Sequence, residues 1–108
     1  MACDEASRKQ GFYVKVHCAN DQVLVAACDA ELLGKAIRTK GGLDIYVSER
    51  FYGGSLMTPE DALEAMKSAT SLNLMGNRIV NLALSSKIGH PDSVMVVGGV
   101  AHLILIHV

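Results

Sequence analysis

The sequence predicts a two-layer α+β domain, in which a mixed or antiparallel sheet of about five strands carries about three helices on one face. Alternating apolar residues early in the chain indicate a β-hairpin, and a helix-start motif follows near the middle. Two apolar runs divided by a glycine pair indicate a second hairpin at the end. At 108 residues the chain has the length of one domain, so we expect a flexible tail over residues 1–10 and a single domain over residues 11–108.

The first hairpin is expected at the start of the domain. Apolar and polar residues alternate over residues 12–18 and again over residues 23–28, and the residues between them are rich in Asn and Asp. In this register Cys18 lies at the turn and Cys28 at the open end, too far apart for a disulfide. Cys3 makes the number of cysteines odd, which is typical of reduced thiols in the cytoplasm.

The last hairpin joins residues 94–97 to residues 100–106 through Gly98 and Gly99. Such a glycine pair suits the positive φ angles of a tight hairpin turn. The final run is apolar on both sides, so we expect its strand either to be central in the sheet or to form part of a subunit interface.

The middle of the chain is expected to contain helices and one more strand. Asp29 is a candidate N-cap for a short helix that ends at Gly41 or Gly42, and a strand follows over residues 43–47. The sequence Thr-Pro-Glu-Asp at 58–61 combines a capping hydroxyl, a proline at the first helical position and acids in the first turn. A helix therefore begins there.

Apolar residues continue at helical spacing as far as residue 89, with a change of phase near Thr70. This pattern predicts two consecutive helices or one kinked helix. Gly76 lies within the second apolar stripe, where it marks either close packing or a ligand. On such a helix Asn73 and Asn77 share one face, and Arg78 lies beside them.

Composition and charge exclude several classes of protein. The formal net charge of -1 argues against a strong field for nucleic acid. No segment approaches the roughly 20 apolar residues that cross a bilayer, and the N-terminus lacks a signal-peptide core, so we expect a cytoplasmic protein. The cations Lys35, Arg38 and Lys40 form a local cluster, for which a solvated helix end is the simpler interpretation.

The sequence contains no standard catalytic signature. Gly34 and Lys35 lack the glycine-rich approach of a phosphate-binding loop, and there is no nucleophile elbow, metalloprotease helix or dinucleotide fingerprint. No close spacing of Cys and His indicates zinc, and His102 and His107 point to opposite faces of a strand. We therefore expect no cofactor and no metal, and the residues favour recognition over catalysis.

The most distinctive segment spans residues 48–54. It combines opposite charges, aromatic rings and glycines in the residues Ser48, Glu49, Arg50, Phe51, Tyr52, Gly53 and Gly54. Such a mixture suits a binding loop, because aromatic rings supply contact area and glycines allow close approach. The alternative is an ion pair over a tight turn, with Phe51 anchored in the core.

Two further features are candidates for a site. Asn73 and Arg78 could bind a carboxylate or a phosphate, whereas the alternative is internal pairing of Arg78 with Glu49 or with a loop carbonyl. His102 follows the glycine turn and titrates near neutral pH, so it could act as an acid, a base or a ligand. A single histidine near a turn is, however, more often structural.

Segments that cover nearly the whole chain from residue 12 onward follow a known pattern. They are residues 13–16, Leu-Leu-Gly-Lys at 32–35, residues 47–54, Asn-Leu-Met-Gly at 73–76 with Arg78, and residues 98–102. Together they resemble the small archaeal family called domain of unknown function 424. The resemblance implies a two-layer α+β fold and an archaeal cytoplasmic protein. Because that family is uncharacterised, the resemblance implies no activity and no catalytic residue.

Three functional hypotheses follow. The first is a non-catalytic binding module that contacts a protein or RNA partner through a polar face made of Lys35, Glu49, Arg50, Tyr52, Gly53, Gly54, Asn73, Arg78 and His102. The second is a small enzyme or ligand-binding protein with Glu49 and His102 as acid and base across one cleft. The third is a homo-oligomer assembled through the apolar C-terminal strand. None of the three involves a membrane.

Overall fold

The computed structural model describes residues 11–106, which form a six-stranded mixed sheet, a separate two-stranded sheet and three helices. The strands are β1 (Phe12–Ala19), β2 (Gln22–Asp29), β3 (Ala36–Arg38), β4 (Asp44–Tyr46), β5 (Ser55–Met57), β6 (Ser71–Met75), β7 (Met95–Val97) and β8 (Val100–Ile106). The helices are α1 (Glu49–Tyr52), α2 (Pro59–Lys67) and α3 (Asn77–Ser85), with short 3-10 turns at Ala30–Leu32 and Pro91–Ser93. The predicted α+β class with a mixed sheet is confirmed.

The large sheet has the strand order β5-β1-β2-β6-β8-β7, and the small sheet pairs β3 with β4. Within the large sheet β2 and β6 are parallel, and the other neighbours are antiparallel. The predicted tail over residues 1–10 lies outside the described residues, as does His107. None of the helices in residues 11–106 has the length and apolar character that crossing a bilayer requires.

Both predicted hairpins are present. β1 pairs with β2 over its full length, and the turn residues Asn20 and Asp21 have φ angles of 50° and 67°. Asn and Asp tolerate this left-handed conformation, which matches the twist of the flanking strands. β7 and β8 turn at Gly98 and Gly99, which also have positive φ. β8 lies between β6 and β7, so the final strand is interior to the sheet.

The largest difference from the sequence analysis is β6, because a helix was predicted where this strand lies. β6 sits between β2 and β8 near the middle of the sheet. Leu72 and Leu74 are completely buried on one face while Asn73 lies on the other, which is the period of two expected of a strand. The prediction was wrong because a short apolar run buried on both faces does not distinguish a strand from a helix. Asn73 and Asn77 therefore do not share a helix face.

The helix predicted after Asp29 is also absent. Only the 3-10 turn at Ala30–Leu32 is helical, and Gly34 follows with a φ of 80°. The Gly34 amide donates to the Val47 carbonyl, and the Val47 amide donates to the Lys35 carbonyl. This pairing continues the β3–β4 ladder, so the cations Lys35 and Arg38 belong to a β-hairpin and not to a helix end.

Two helices begin with a side-chain cap. The Ser48 hydroxyl accepts hydrogen bonds from the amides of Arg50 and Phe51, so residues 48–54 form a capped helical turn, α1, rather than an open loop. The Thr58 hydroxyl accepts a hydrogen bond from the Asp61 amide, as predicted, and α2 begins at Pro59. Between these helices lies β5, an edge strand that the sequence analysis did not predict.

The large sheet has a core on each face. On the helical face, α2 and α3 pack against the sheet through a core that includes Val14, Val25, Met66, Leu72, Leu74, Ile79, Ala83 and Leu103. On the opposite face, which we call the hairpin face, α1 and the β3–β4 hairpin pack through Ala26, Cys28, Ile37, Val47, Tyr52 and Met75. The two longer helices share one face, as predicted, and α1 lies on the other.

Candidate binding site on the hairpin face

The strand register aligns the side chains of the hairpin face in rows across the sheet. One row holds Tyr13, Cys28, Met75, His102 and Met95, the next holds Lys15, Ala26, Asn73 and Ile104, and the third holds His17, Leu24, Ser71 and Ile106. α1 packs on β1 and β2, so it covers one end of the rows. The other end, on β6 and β8, is less covered.

Tyr52, Asn73 and His102 form a hydrogen-bond network at the boundary of the covered region. The Tyr52 Oη donates to the Asn73 Oδ1 at 2.6 Å, and the His102 Nε2 donates to the same oxygen at 3.0 Å. Because an amide oxygen only accepts, the neutral His102 ring carries its proton on Nε2 and leaves Nδ1 as an acceptor. Burial lowers the pKa of His102 and raises the pKa of Tyr52 to about 12, so both groups are predominantly neutral at pH 7.

This network unites three predicted site residues from separate segments of the chain. Within residues 11–106, the Asn73 Nδ2 and the His102 Nδ1 have no hydrogen-bond partner. No buried side-chain nitrogen or oxygen in this part of the chain lacks a partner, so both atoms are accessible to solvent. They present one donor group and one acceptor to a ligand, which is the pattern that an amide recognises.

α1 is fixed over β1 by hydrogen bonds to its backbone carbonyls. The Lys15 Nζ donates to the Arg50 carbonyl at 2.7 Å, and the His17 Nε2 donates to the Phe51 carbonyl at 2.8 Å. The His17 ring also stacks on Phe51, with the ring centroids 5.1 Å apart. The Arg50 side chain is exposed to solvent on this helix.

Gly53 and Gly54 end α1 at positions where backbone atoms leave no room for a side chain. A Cβ atom on Gly53 would lie 2.4 Å from the Glu49 carbonyl oxygen, and one on Gly54 would lie 2.1 Å from the Val14 carbonyl oxygen. Both glycines therefore serve the packing of the chain on itself, because any side chain there would collide with backbone.

Glu49 and Lys35 lie apart from the network and line an open cleft. This cleft has a volume of about 340 Å³ and is lined by Tyr13, Ala30, Glu31, Leu33, Lys35 and Glu49. His102 does not line it and shares no hydrogen bond with Glu49. The described structure thus does not bring the acid and the base of the enzyme hypothesis into one cleft.

Arg78 makes internal contacts. Its guanidinium forms two hydrogen bonds with the Glu31 carboxylate, one of them from Nε at 3.1 Å, and also donates to the Gly11 carbonyl at 3.1 Å. It lies 4.8 Å from the centroid of the Phe12 ring, a cation–π distance. The hydrogen bond to Arg78 lowers the pKa of Glu31. Glu31, and not Glu49, is therefore the carboxylate that pairs with Arg78.

Asp29 has a structural role that the sequence analysis missed. Its carboxylate accepts hydrogen bonds from the amides of Arg78 at 3.0 Å and Ile79 at 2.8 Å, so it caps α3 from the end of β2. Asp29 is only 4% exposed, and burial raises the pKa of its carboxyl group although the two amides act in the opposite direction. Gly76, with a φ of 132°, lies against this carboxylate. Of the two predicted roles for Gly76, close packing is the one observed.

Beyond the network, the hairpin face exposes aliphatic side chains. Ile104 is 49% exposed and Ile106 is 70% exposed, although β8 is an interior strand. We call this region the open corner; it consists of Leu24, Ser71, Asn73, Met95, His102, Ile104 and Ile106. The apolar character of residues 100–106 was the signal in the sequence, but only the register shows which of these residues reach the surface.

Charge is divided between the two faces of the sheet. The hairpin face, with α1 and β3–β4, carries the cations Lys15, Lys35, Arg38, Lys40 and Arg50. The acids on that side are Glu31, which pairs with Arg78, and Asp44 and Glu49. α2 on the helical face has Glu60, Asp61 and Glu64 with only Lys67 as a cation. The hairpin side therefore carries an excess of cations over acids, whereas Arg78 on α3 and Lys87 directly after it offset the acids of α2 on the helical side.

The described residues contain no assembled metal site. Within residues 11–106 no three side chains of His, Cys, Asp or Glu lie together as ligands for one ion. Cys18 is exposed and Cys28 is buried, and both are free thiols, in agreement with the predicted hairpin register.

Comparison with known proteins identifies relatives but no activity. The sequence model of a family described as "Protein of unknown function (DUF424)" matches residues 17–108. The fold is similar to the crystal structure of an uncharacterized conserved protein from Methanopyrus kandleri, with a TM-score of 0.77 and 26% sequence identity. That similarity covers 88% of this chain and 90% of the other. No protein with a curated description matches.

Proposed function

Since the chain belongs to the family of proteins of unknown function called DUF424, we propose its function from its own surface: it is a non-catalytic module that binds a protein partner through the open corner. The family resemblance inferred from the sequence is confirmed by this match. The proposal extends the sequence-based hypothesis of a binding face that includes Arg50, Tyr52, Asn73 and His102.

The observation that carries the proposal is the exposure of aliphatic side chains on an interior strand. Ile104 and Ile106 lie side by side on β8, and Met95 is exposed on the neighbouring strand β7. Contiguous exposed apolar area of this kind marks interaction surfaces more often than scattered single residues do. Burying it would release roughly 25 cal/mol for each Å² of apolar surface removed from water.

The polar surroundings define the chemistry of the partner. Asn73 and His102 offer a donor and an acceptor beside the aliphatic side chains, which suits a backbone or side-chain amide. The cations of the hairpin face, including Arg50 on α1, would attract carboxylates around the contact. We therefore propose a partner surface with an apolar centre, an amide that meets Asn73 and His102, and an acidic rim.

Catalysis has less support from the geometry. His102 hydrogen-bonds to an amide, Tyr52 is a neutral phenol, and Glu49 lines a different cleft. No nucleophile activated by a neighbouring base is present among the described residues. A cytoplasmic location remains part of the proposal, with the free thiols Cys18 and Cys28 as its support.

A matched pair of substitutions tests the open corner. Ile104 and Val16 are both β-branched and both 49% exposed, but they lie on opposite faces of the same sheet. We expect Ile104→Glu to abolish capture of partners from an extract of the source organism, and Val16→Glu to leave capture unchanged. Arg50→Glu should weaken capture, because it reverses a charge in the proposed rim. Affinity purification followed by mass spectrometry, with and without RNase, measures these effects.

The controls separate this proposal from an RNA-binding surface and from a homo-oligomer. Partners that are lost from the Ile104→Glu sample, retained by Val16→Glu and insensitive to RNase would support a protein-binding corner. Loss of all partners after RNase would replace the protein partner with RNA. Light scattering that shows wild-type dimers and Ile104→Glu monomers would instead identify a homo-oligomer. Identical partner lists for the wild type and all three variants would rule out the open corner.

A further inference from the structure

We propose that a second site, separate from the open corner, binds a phosphoryl group. It is the cleft between the turn that joins β3 to β4 and the turn that joins β7 to β8. This cleft has a volume of about 550 Å³ and is lined by Arg38, Thr39, Lys40, Val96, Val97, Gly98 and Gly99. Its size is within the range of small-molecule sites, and its ligand class follows from the groups that line it.

The two sides of the cleft supply different kinds of donors. One side is formed by Arg38, at the end of β3, and by Lys40, in the turn after it. The other side is the turn at Gly98 and Gly99, whose amides donate to no acceptor within residues 11–106. Two cations and two free backbone amides around one space favour a ligand with several anionic oxygens, because charge-assisted hydrogen bonds to phosphate are strong.

The glycine turn is held in place from two directions. Gly98 packs so closely on β3 that a Cβ atom there would lie 2.3 Å from the Arg38 carbonyl oxygen. From the side of α3, the Asn77 Nδ2 donates to the Gly99 carbonyl at 3.4 Å, and the Ala101 amide donates to the Asn77 Oδ1 at 2.7 Å. The amides of the turn are therefore positioned before a ligand arrives, which lowers the entropic cost of binding.

One acidic residue opposes an anion at this site. The Arg38 Nε lies 3.6 Å from an Asp44 carboxylate oxygen; the Arg38 side chain is 87% exposed and that of Asp44 is 48% exposed. An exposed pair of this kind contributes little free energy, about 0–1 kcal/mol, so a phosphoryl group can compete for the guanidinium. Removing the Asp44 charge should consequently strengthen phosphate binding rather than weaken it.

The test is an NMR titration of the ¹⁵N-labelled full chain at constant ionic strength, with chloride as the control salt. We expect inorganic phosphate to shift the amide signals of Gly98 and Gly99 saturably, with a Kd on the order of 1 mM. Pyrophosphate should bind more tightly, because it brings more charge to the same donors. A short single-stranded oligouridylate is the third ligand, and it establishes whether the phosphoryl group belongs to RNA or to a small molecule.

The variants make the assignment specific. Arg38→Gln together with Lys40→Gln should weaken pyrophosphate binding by roughly tenfold or more, whereas Asp44→Asn should strengthen it a few-fold. Lys67→Gln removes a cation from the helical face and should change nothing. Tighter binding of the oligouridylate with the same variant dependence identifies RNA as the source of the phosphoryl group, and its failure to bind identifies a small phosphorylated ligand.

Two results would overturn the proposal. One is the lack of any saturable shift at Gly98 and Gly99 with phosphate, pyrophosphate or oligouridylate. The other is equal binding by the wild type and the Arg38→Gln/Lys40→Gln variant. Neither result depends on Ile104, so failure here and failure of the protein-binding proposal are distinguishable.

Discussion

The two faces of the large sheet are built from alternate residues of the same strands, but they are covered in different ways. On the helical face, two nine-residue helices cover Leu72, Leu74 and Leu103, which are completely buried. On the hairpin face, a single helical turn and two three-residue strands cover only part of the sheet. Ile104, the residue after Leu103, is consequently half-exposed.

The difference extends to the forces that hold each covering element. α2 and α3 attach mainly through a continuous apolar core, which the hydrogen bonds of Asp29 and Arg78 supplement at the start of α3. α1 packs on a smaller apolar core, and it is held as well by Lys15 and His17, which donate to its carbonyls, and by the bond from Tyr52 to Asn73. Burial of large aliphatic side chains contributes more to the free energy of unfolding than such hydrogen bonds do, because each internal hydrogen bond replaces one made to water in the unfolded chain. The comparison indicates that the helical face contributes more to stability than the hairpin face, on which the proposed recognition surface lies.

The largest expected effect is a difference in stability between substitutions at two neighbouring residues of β8. Leu103→Ala should reduce the free energy of unfolding by about 2–5 kcal/mol, because it leaves a cavity in the core of the helical face. His102→Ala should cost about 1 kcal/mol or less, because the Asn73 oxygen keeps its bond from Tyr52. Urea denaturation of both variants measures the two losses. Equal losses would show that the hairpin face contributes as much to stability as the helical face.

A smaller effect is expected within the hairpin face. Tyr52→Phe removes only the hydroxyl that donates to Asn73, so the free energy of unfolding should fall by about 1 kcal/mol. Tyr46→Phe is the matched control, since the Tyr46 ring is exposed and its hydroxyl has no hydrogen-bond partner in the described chain. Thermal unfolding compares the variants. A Tyr52→Phe protein as stable as the control would mean that the network does not help to hold α1.

The smallest effect is a dependence on pH. Burial places the pKa of His102 in the folded chain below its ordinary value of 6.5. As the pH falls below 6.5, the unfolded chain therefore takes up a proton at this residue before the folded chain does, and the free energy of unfolding decreases. The contribution is fully present above pH 6.5 and is lost as the pH falls towards the pKa of the folded state.

Replacement of the imidazole tests that dependence. His102→Gln should lose less stability than the wild type between about pH 7.5 and about pH 5, measured by urea unfolding. An NMR titration of the His102 ring reports its folded-state pKa directly. A folded-state pKa at or above 6.5, or an unchanged pH dependence in the variant, would contradict the prediction.

Local sequence signals were sufficient for several elements. The Asn-Asp and Gly-Gly turns predicted both hairpins, and the Thr-Pro-Glu-Asp motif predicted the start of α2. Each of these structures depends on residues close together in the chain, so composition and spacing carry the information. Tyr52, Asn73 and His102 were likewise recognisable as candidates by residue type and position.

Tertiary structure alone decided the remainder. β6 became a strand because β2 and β8 supply backbone hydrogen bonds along both of its edges, a condition that no local pattern encodes. Asp29 caps a helix that begins far along the chain, and Glu31 rather than Glu49 meets Arg78, because the sheet brings these segments together. The sequence alone determined the class of fold, its turns and its capped helix. The strand register decided which polar residues share a network and which aliphatic residues face solvent, since a shift of one residue exchanges the two faces of a strand.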